Sequence, residues 1–494
     1  LEPKANFTTV QEAPAPHGAA RDLAWLLALA AVYRLAFLWA MPRVLDTADA
    51  IHYIETARHF AAGDFWGFDP KIPVLYPLLS AAAHYVFTDW EWAATSVSFL
   101  ASVLVIIPIY FLARAMHGRT AAIISGVTVA IWPWLADYGC RVGTEPLACL
   151  WWFLAVLLLF LAVRDSNRWI LPAFLAFFAL HLTRPEGTFL LIAAPFSLLI
   201  LYGHLNRRCV VQFICLFVMI FIGLCINALY TSSLTGNATP NYRIGFILTE
   251  FDIVRFVHTA FSTLTDVLPV MLGPVLMLFL GLGLFLSRGP GRNIRLELFV
   301  FVFIFLQWFI SLFVLSPAPR YLMSCIIALS TWSAYGMVVV SRQAAELRLG
   351  AVLRWVPLAV LVFSMLLHTV ITVGAEHMGR PPREPREYKI AGQWLKEHAS
   401  PGLIFCRKPQ VGYYADMPST GPDLNDTLDQ AIARAQTAGA KYLVVDERYT
   451  AQDVPGLRGL LDPVQAPPSL TLLYQTEPYP RCRVVIYALP EAPK

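Results

Sequence analysis

Charge is what this sequence has least of. Asp, Glu, Lys and Arg supply 14% of its 494 residues, where a soluble chain carries about 25%. With 57% hydrophobic residues and a mean hydropathy of +0.58, that shortage excludes an ordinary soluble enzyme over the whole length. The charge is also unevenly spread: 28 of the 70 charged residues lie in 376–494 and 42 in the preceding 375. A net charge of +4 gives no reason to expect a nucleic-acid partner, so the basic residues are read as topology signals. Metal-ligand spacing is missing too. The eight cysteines form no CxxC and no Cys/His pattern, so no metal site is expected. Cys149, Cys209, Cys215, Cys225 and Cys325 lie in or beside apolar runs, where a thiol is a small buried hydrophobe. Cys406 and Cys482 are free to pair if their region is exported, and otherwise stay reduced. The run from Ala24 has no clear cleavage site and is as long as a full span, so no cleavable signal peptide is expected.

What the sequence has is long apolar runs. A spanning helix needs roughly 20 mostly apolar residues, and eleven stretches fit: 22–41, 92–113, 119–136, 145–163, 168–183, 186–204, 209–230, 265–286, 295–315, 320–340 and 351–374. Arg34 is the one charge near the middle of any of them, and it is expected to face neighbouring helices rather than lipid. One set of connecting loops reads RAMHGR, RDSNR, HLNRR, SRGPGRNIR and SRQAAELRLGAVLR, rich in arginine. The alternate set includes a 50-residue segment after the first span, DYGCRVG, TRPEG, a 34-residue loop from Thr231, and SPAPR. Positive charge marks the cytoplasmic side, which puts the second set and the C-terminal region outside.

The segment DTADAIHYIETARHFAAGDF, Asp46 to Phe65, is unexpectedly polar for such a chain. Ala50, Tyr53, Ile54, Ala57, Phe60 and Ala61 follow a helical rhythm, with His52, Glu55, Thr56 and His59 opposite. Gly63 is placed to end that helix with positive φ. Leu75 to Phe87 supplies a second apolar helix too short to span. Both are expected at the membrane surface. Residues 376–494 read as α/β: REYKIAGQWLKEHA and LDQAIARAQTAGA as helices, GLIFC, KYLVVD, LTLLYQ and RVVIYAL as strands. No nucleophile–base pattern or phosphate loop occurs there, so an accessory domain is expected.

Several ionisable residues fall on the outer side. Asp46 and Asp49 follow the first span, and Asp49 is equally well placed to cap the surface helix. Arg141 and Glu145 precede the 145–163 span, where an acid in the first turn also suits the helix dipole. Arg184 and Glu186 bracket a helix junction and suit both dipoles. Arg320 opens a span against both the positive-inside tendency and the macrodipole; a bound anion removes both objections, while Arg320 and Tyr321 also suit a headgroup anchor.

These residues resemble the motifs of the GT-C superfamily of polyprenyl-phosphate-sugar-dependent glycosyltransferases, in particular the bacterial protein-mannosyltransferase-like and aminoarabinose-transferase-like group. DAIHYIETARHFAAGDF, YPLLSAAAHYVF, TEPLACLWWF, LTRPEGTFLL and PRYLMSCIIALS occur in the family's order. The resemblance implies a polytopic α-helical membrane domain over 1–375, with about 11 transmembrane helices and two surface helices in the first external loop. An extracytoplasmic α/β domain over 376–494 completes the fold class. It implies Asp49 as general base, in register with His52 and Tyr53. Asp46 stands three positions away as the alternative, because the family's adjacent acidic pair is absent. Glu145, a further catalytic candidate, matches the acid before a span, Arg184 and Glu186 the RPE segment, and Arg320 with Tyr321 a contact to donor phosphate, with Arg141 as a further candidate. The metal-binding D-x-D of some oligosaccharyltransferases is missing, so neither cofactor nor metal is expected. The implied partners are a polyprenyl-phosphate-linked sugar donor, a lipid, glycan or protein acceptor, and the bilayer. The implied place is a bacterial inner membrane, and the implied chemistry inverting transfer. A lipid-linked-glycan flippase or other transporter, which predicts paired broken helices, and a non-catalytic scaffold are the other readings. No paired interruptions stand out in the sequence.

Overall fold

The computed structural model describes residues 18–41, 43–69, 71–235, 252–286, 292–313, 318–347, 355–377 and 385–490. Contacts divide them into two compact units: one holds the residues up to Phe37 with Thr56–His368, the other Leu38–Glu55 with the region from Thr369 onward.

The first unit is helical. Among the described residues seven helices are long and apolar enough to cross a membrane: Ala19–Ala40, Trp90–His117, Glu145–Arg164, Arg207–Leu234, Ile253–Phe285, Ile294–Ser311 and Pro319–Glu346. The bent pair Arg119–Ala130 and Pro133–Gly139 makes an eighth if taken as one span. Every one of the eleven expected stretches forms a helix, but three fall short. Ile170–Thr183 has 14 residues and Gly187–Tyr202 has 16, about 21 and 24 Å at 1.5 Å per residue against a core of about 30 Å. The third counts as apolar helix only over Val356–Ile371. The expected loop from Thr231 starts inside a helix instead. Arg207–Thr235 continues five residues into it, and Ile253–Ser262, capped by Asp252, forms a further helix. Residues 236–251, most of the expected loop at 287–295, and parts of those at 316–320 and 341–354 lie outside the described residues.

Arg34 has no exposed surface. Its Nε donates to Ser102 Oγ at 2.7 Å, and its Nη atoms donate to the carbonyls of Ala30, Val129 and Ala130, the last at 2.7 Å. Val129 and Ala130 end the helix that breaks there by 53°. The guanidinium therefore satisfies carbonyls that have no intrahelical donor, and its charge complements the negative end of the dipole. A second helix, Leu268–Gly281, is interrupted at Gly273 (φ 72°, ψ 164°) before Pro274. Trp132 Nε1, at the first break, donates to Met271 O at the second, 3.1 Å away. The two interruptions therefore meet at this hydrogen bond. A backbone break inside an apolar run leaves no compositional mark beyond a Gly-Pro or Trp-Pro step.

The helix Ala48–Ala61 lies in the expected polar segment and Leu75–His84 in the expected short apolar stretch, and Gly63 follows the first with φ 77°. Ala50, Ile54, Ala57 and Phe60 are buried as the rhythm requires, and Thr56, expected on the polar face, is buried with them.

The C-terminal region folds as α/β. Its five-stranded sheet runs β2-β1-β3-β5-β4, from β1 (Leu403–Cys406), β2 (Ser419–Thr420), β3 (Ala440–Asp446), β4 (Thr471–Thr476) and β5 (Val484–Ala488). β1 pairs parallel with β2 and β3, and β5 antiparallel with β3 and β4. Side chains alternate between two faces. Ile404, Val444 and Ile486 pack on helix Arg386–His398, while Phe405, Leu443 and Val485 pack with Ala431 and Ala435 of helix Leu428–Thr437. Thr427 and Gln430 close a capping box on the latter helix. Cys406 and Cys482 are both buried and unbridged; the Cys482 sulfur instead accepts from Arg448 at 3.3 Å.

Candidate active site

The site is built from three helix starts. Arg184 precedes Pro185, a step that disfavours helical backbone, and it leaves helix Ile170–Thr183 extended (φ −148°, ψ 137°). The next helix begins at Gly187, whose N–H donates back to Arg184 O at 3.0 Å. A Cβ there would lie 2.7 Å from the Leu180 carbonyl, so glycine alone allows so tight a return. Arg320 sits second in Pro319–Glu346, after Ala318 is held extended (ψ 133°) by the same pre-proline effect. Glu145 opens Glu145–Arg164 with Pro146 behind it. The loop in front of it is pinned by Tyr76, fully buried. The Tyr76 hydroxyl accepts from Gly143 N at 3.1 Å and donates to Ala94 O at 2.8 Å, and Ser98 Oγ donates to Gly143 O at 2.9 Å.

These starts converge on a cavity of about 330 Å³ including its mouth, walled by Glu145, Arg184, Glu186, Gln307, Arg320 and Tyr321. Arg184 donates to Glu145 at 3.1 Å and to both oxygens of Glu186 at 3.4 and 3.5 Å. The three side chains are 13%, 9% and 6% exposed respectively. Both guanidinium carbons approach the Tyr321 ring, Arg184 at 5.1 Å and Arg320 at 4.9 Å from its centroid, within cation–π range. Arg320 also donates to the Tyr321 hydroxyl at 2.9 Å, and Gln307 donates to the Tyr321 carbonyl at 3.2 Å. Two carboxylates and two guanidiniums balance in charge, and both glutamates accept from Arg184. A guanidinium in the first turn of a helix, as Arg320 is, is a group that an anion recognises.

Five of the expected residues, Glu145, Arg184, Glu186, Arg320 and Tyr321, are therefore gathered in one place. Arg141 is not among the residues lining it; its Nε and Nη2 donate to Asp137 Oδ1, one turn back, at 2.8 and 2.5 Å. Asp46, Asp49, His52 and Tyr53 belong to the second unit. There the Thr47 hydroxyl accepts from a first-turn amide, that of Ala50 at 3.2 Å. Asp49 is exposed in the first turn of Ala48–Ala61 and Asp46 half-buried; His52 Nδ1 lies 3.4 Å from Glu55 Oε2. Sequence reasoning missed Gln307, Tyr76 and Ser98. Gln307 carried a signal, a primary amide inside the apolar stretch LFVFVFIFLQWFI. Tyr76 opens the motif YPLLSAAAHYVF, which marks the residue but not its partner, and Ser98 carried no signal, because a serine inside an apolar helix looks like any other. Among the described residues no cluster of three His, Cys, Asp or Glu side chains is placed to hold a metal ion.

The sequence model of the dolichyl-phosphate-mannose-protein mannosyltransferase family matches residues 71–230. No curated protein matches the chain by sequence. Among solved structures, ArnT from Cupriavidus metallidurans in the apo state superposes with a TM-score of 0.61 at 14% identity, over 96% of this chain and 100% of that one. The same protein bound to undecaprenyl phosphate gives 0.58 at 15% identity, over 97% and 100%. The oligosaccharyltransferase AglB from Archaeoglobus fulgidus, in complex with an inhibitory peptide and a dolichol-phosphate, gives 0.59 at 13% identity, over 87% and 70%. The chain has the GT-C fold, as its motifs implied: a multi-pass helical membrane protein with a C-terminal sheet domain.

Proposed function

We propose that the chain is a glycosyltransferase that moves a sugar from a polyprenyl-phosphate carrier to an acceptor hydroxyl on the outer face of a bacterial inner membrane, with the C-terminal domain on that side. The observation that carries this reading is the cavity in which Arg184 and Arg320 flank Tyr321 beside a helix start, within a fold shared with proteins that bind undecaprenyl phosphate and dolichol-phosphate. In the proposed step the acceptor oxygen attacks the anomeric carbon as the carbon–oxygen bond to phosphate breaks. The acceptor proton passes to Asp49, with Asp46 the alternative base. The polyprenyl phosphate leaves with the bonding electron pair, and Arg320 stabilises its growing charge. Glu145 and Glu186 hold Arg184 in place rather than taking a proton. His52 and Tyr53 line the acceptor path in this reading. A single displacement inverts the anomeric centre.

The test is a panel of polyprenyl-phosphate sugars offered to the purified, lipid-reconstituted protein. One donor is expected to release polyprenyl phosphate with transfer or hydrolysis of its sugar, and Arg320→Met is expected to slow that turnover by about 10²-fold, as loss of a charge-stabilising donor does elsewhere. Folded protein that turns over no donor in the panel refutes the reading. The two interrupted helices, with Arg34 at one of the breaks, favour a transporter as the second reading. Movement of a fluorescent lipid-linked glycan across the bilayer, without transfer, selects it.

A further inference from the structure

The second unit joins the first-loop acids to the C-terminal α/β domain, and the role assigned to that domain below rests on Asp49 or Asp46 being the base proposed above. Leu38–Glu55, the stretch that carries both acids, groups with the C-terminal α/β domain. Its backbone is gripped at two points just ahead of them. Leu45 N–H donates to the Tyr414 hydroxyl at 2.8 Å, and Lys389 Nζ donates to the Arg43 carbonyl at 3.1 Å. Leu45 is 2% exposed and Tyr414 8%, so the first contact is shielded from competing water.

The two gripping side chains support each other. Lys389 Nζ lies 5.0 Å from the centroid of the Tyr414 ring. Their helices, Arg386–His398 and Gln410–Ala415, approach closely because Gly392 has no side chain: a Cβ there would lie 2.5 Å from Tyr414 Cβ and 2.7 Å from Val411 O. The short helix then ends at Asp416 in the left-handed region (φ 55°). Downstream of the grip the chain has little freedom. Only Asp46 and Thr47 separate Leu45 from the helix starting at Ala48, and the Thr47 hydroxyl ties that start to Ala50 N. With two soft dihedrals per residue, fixing Leu45 leaves few ways to place Asp46 and the first-turn Asp49.

We propose that the C-terminal domain is a positioning device for the first-loop carboxylates, with Tyr414 and Lys389 as its positioning residues. Neither touches substrate; they act by holding the backbone at Leu45 and Arg43. Small displacements of a catalytic group are costly to rate, about 10²-fold for 1 Å, so such a grip affects turnover more than donor binding.

The experiment uses the full chain in lipid nanodiscs. Tyr414→Phe keeps the ring and removes the acceptor; Lys389→Met removes the donor, and Lys389→Arg keeps one. Hydrogen exchange across 43–50 is read alongside kcat and KM for the polyprenyl-phosphate sugar that the donor panel selects. In Tyr414→Phe, exchange over this stretch is expected to rise about tenfold and kcat to fall about five- to tenfold, the loss of one buried hydrogen bond; Lys389→Met, which loses an exposed one, is expected to move both in the same direction by about two- to threefold. KM is expected to stay within about twofold, and Lys389→Arg is expected to recover most of kcat. Unchanged exchange and kcat in both variants, while Asp46→Asn or Asp49→Asn abolishes transfer, overturns the grip and leaves the reaction standing. Full transfer by the Asp46→Asn, Asp49→Asn double variant sinks the reaction assignment and with it the catalytic meaning of the grip, even if exchange still registers the contact.

Discussion

Replacing Arg184 by Met tests the centre of the site most sharply. The side chain is 13% exposed and holds two carboxylates that are 9% and 6% exposed. Removing the cation leaves two like charges, taken out of water and facing each other's field. Breaking one buried ion pair costs about 3–5 kcal/mol. Here the Glu145 contact, at 3.1 Å, has full hydrogen-bond length, while the Glu186 contacts at 3.4 and 3.5 Å are at the weak end. About 3 kcal/mol for the single variant is the resulting expectation. The triple variant Glu145→Gln, Arg184→Met, Glu186→Gln removes all three charges in near-isosteric form, and should be more stable than the single variant by about 1–2 kcal/mol, because neither glutamate is then left as a charge without its arginine. Unfolding midpoints in one fixed detergent give the comparison, with turnover measured in parallel. The triple variant should regain stability without regaining activity, since the anion site has lost a guanidinium. A single variant as stable as the native chain, or a triple variant weaker than the single one, refutes the claim that these three groups form a buried, mutually dependent set.

Arg34→Met should destabilise the first unit by about 2 kcal/mol or more, because the Val129 and Ala130 carbonyls at the helix break lose their donor in an apolar setting. Arg34→Lys, with one point donor instead of a fork, should fall between it and the native chain by the same midpoint measurement. The turn after Gly63 should respond to acid. The amide of Trp66 above all, then His59 and the amide of Gly67, hold the Asp64 carboxyl below its ordinary value. An acid with a lowered folded pKa contributes stability above its unfolded value, and that contribution disappears as pH falls through the folded one. Protection of the Trp66 and Gly67 amides should therefore hold between pH 7 and 5 and drop below about 4. Asp64→Asn should show the low protection at every pH.

The membrane character, the helical stretches and the alternating strands could be read from the sequence because each is a local property. Burial of an apolar run, or of one face of a strand, depends on nearest neighbours along the chain and on solvent. Arg184, Glu186 and Arg320 stood out for a related reason: a charge beside a long apolar run is costly enough to need a purpose. The counts and boundaries were less secure. Ile170–Thr183 and Gly187–Tyr202 carry the composition of spans without their length, because the Arg-Pro-Glu-Gly step cuts one helix and starts the next.

What the sequence by itself determined is which residues avoid water and which charged groups sit at helix ends, since hydrophobicity, proline and dipole act over a few residues. What only the tertiary structure decided is who partners whom. Arg141 turned to Asp137 while Arg184 turned to Glu145, thirty-nine positions away. Tyr76 came to hold the loop before Glu145, and Tyr414 reached Leu45 across 369 positions. A hydrogen bond needs its partners about 3 Å apart, and nothing in the spacing of two residues along a chain fixes their separation in space once several helices lie between them.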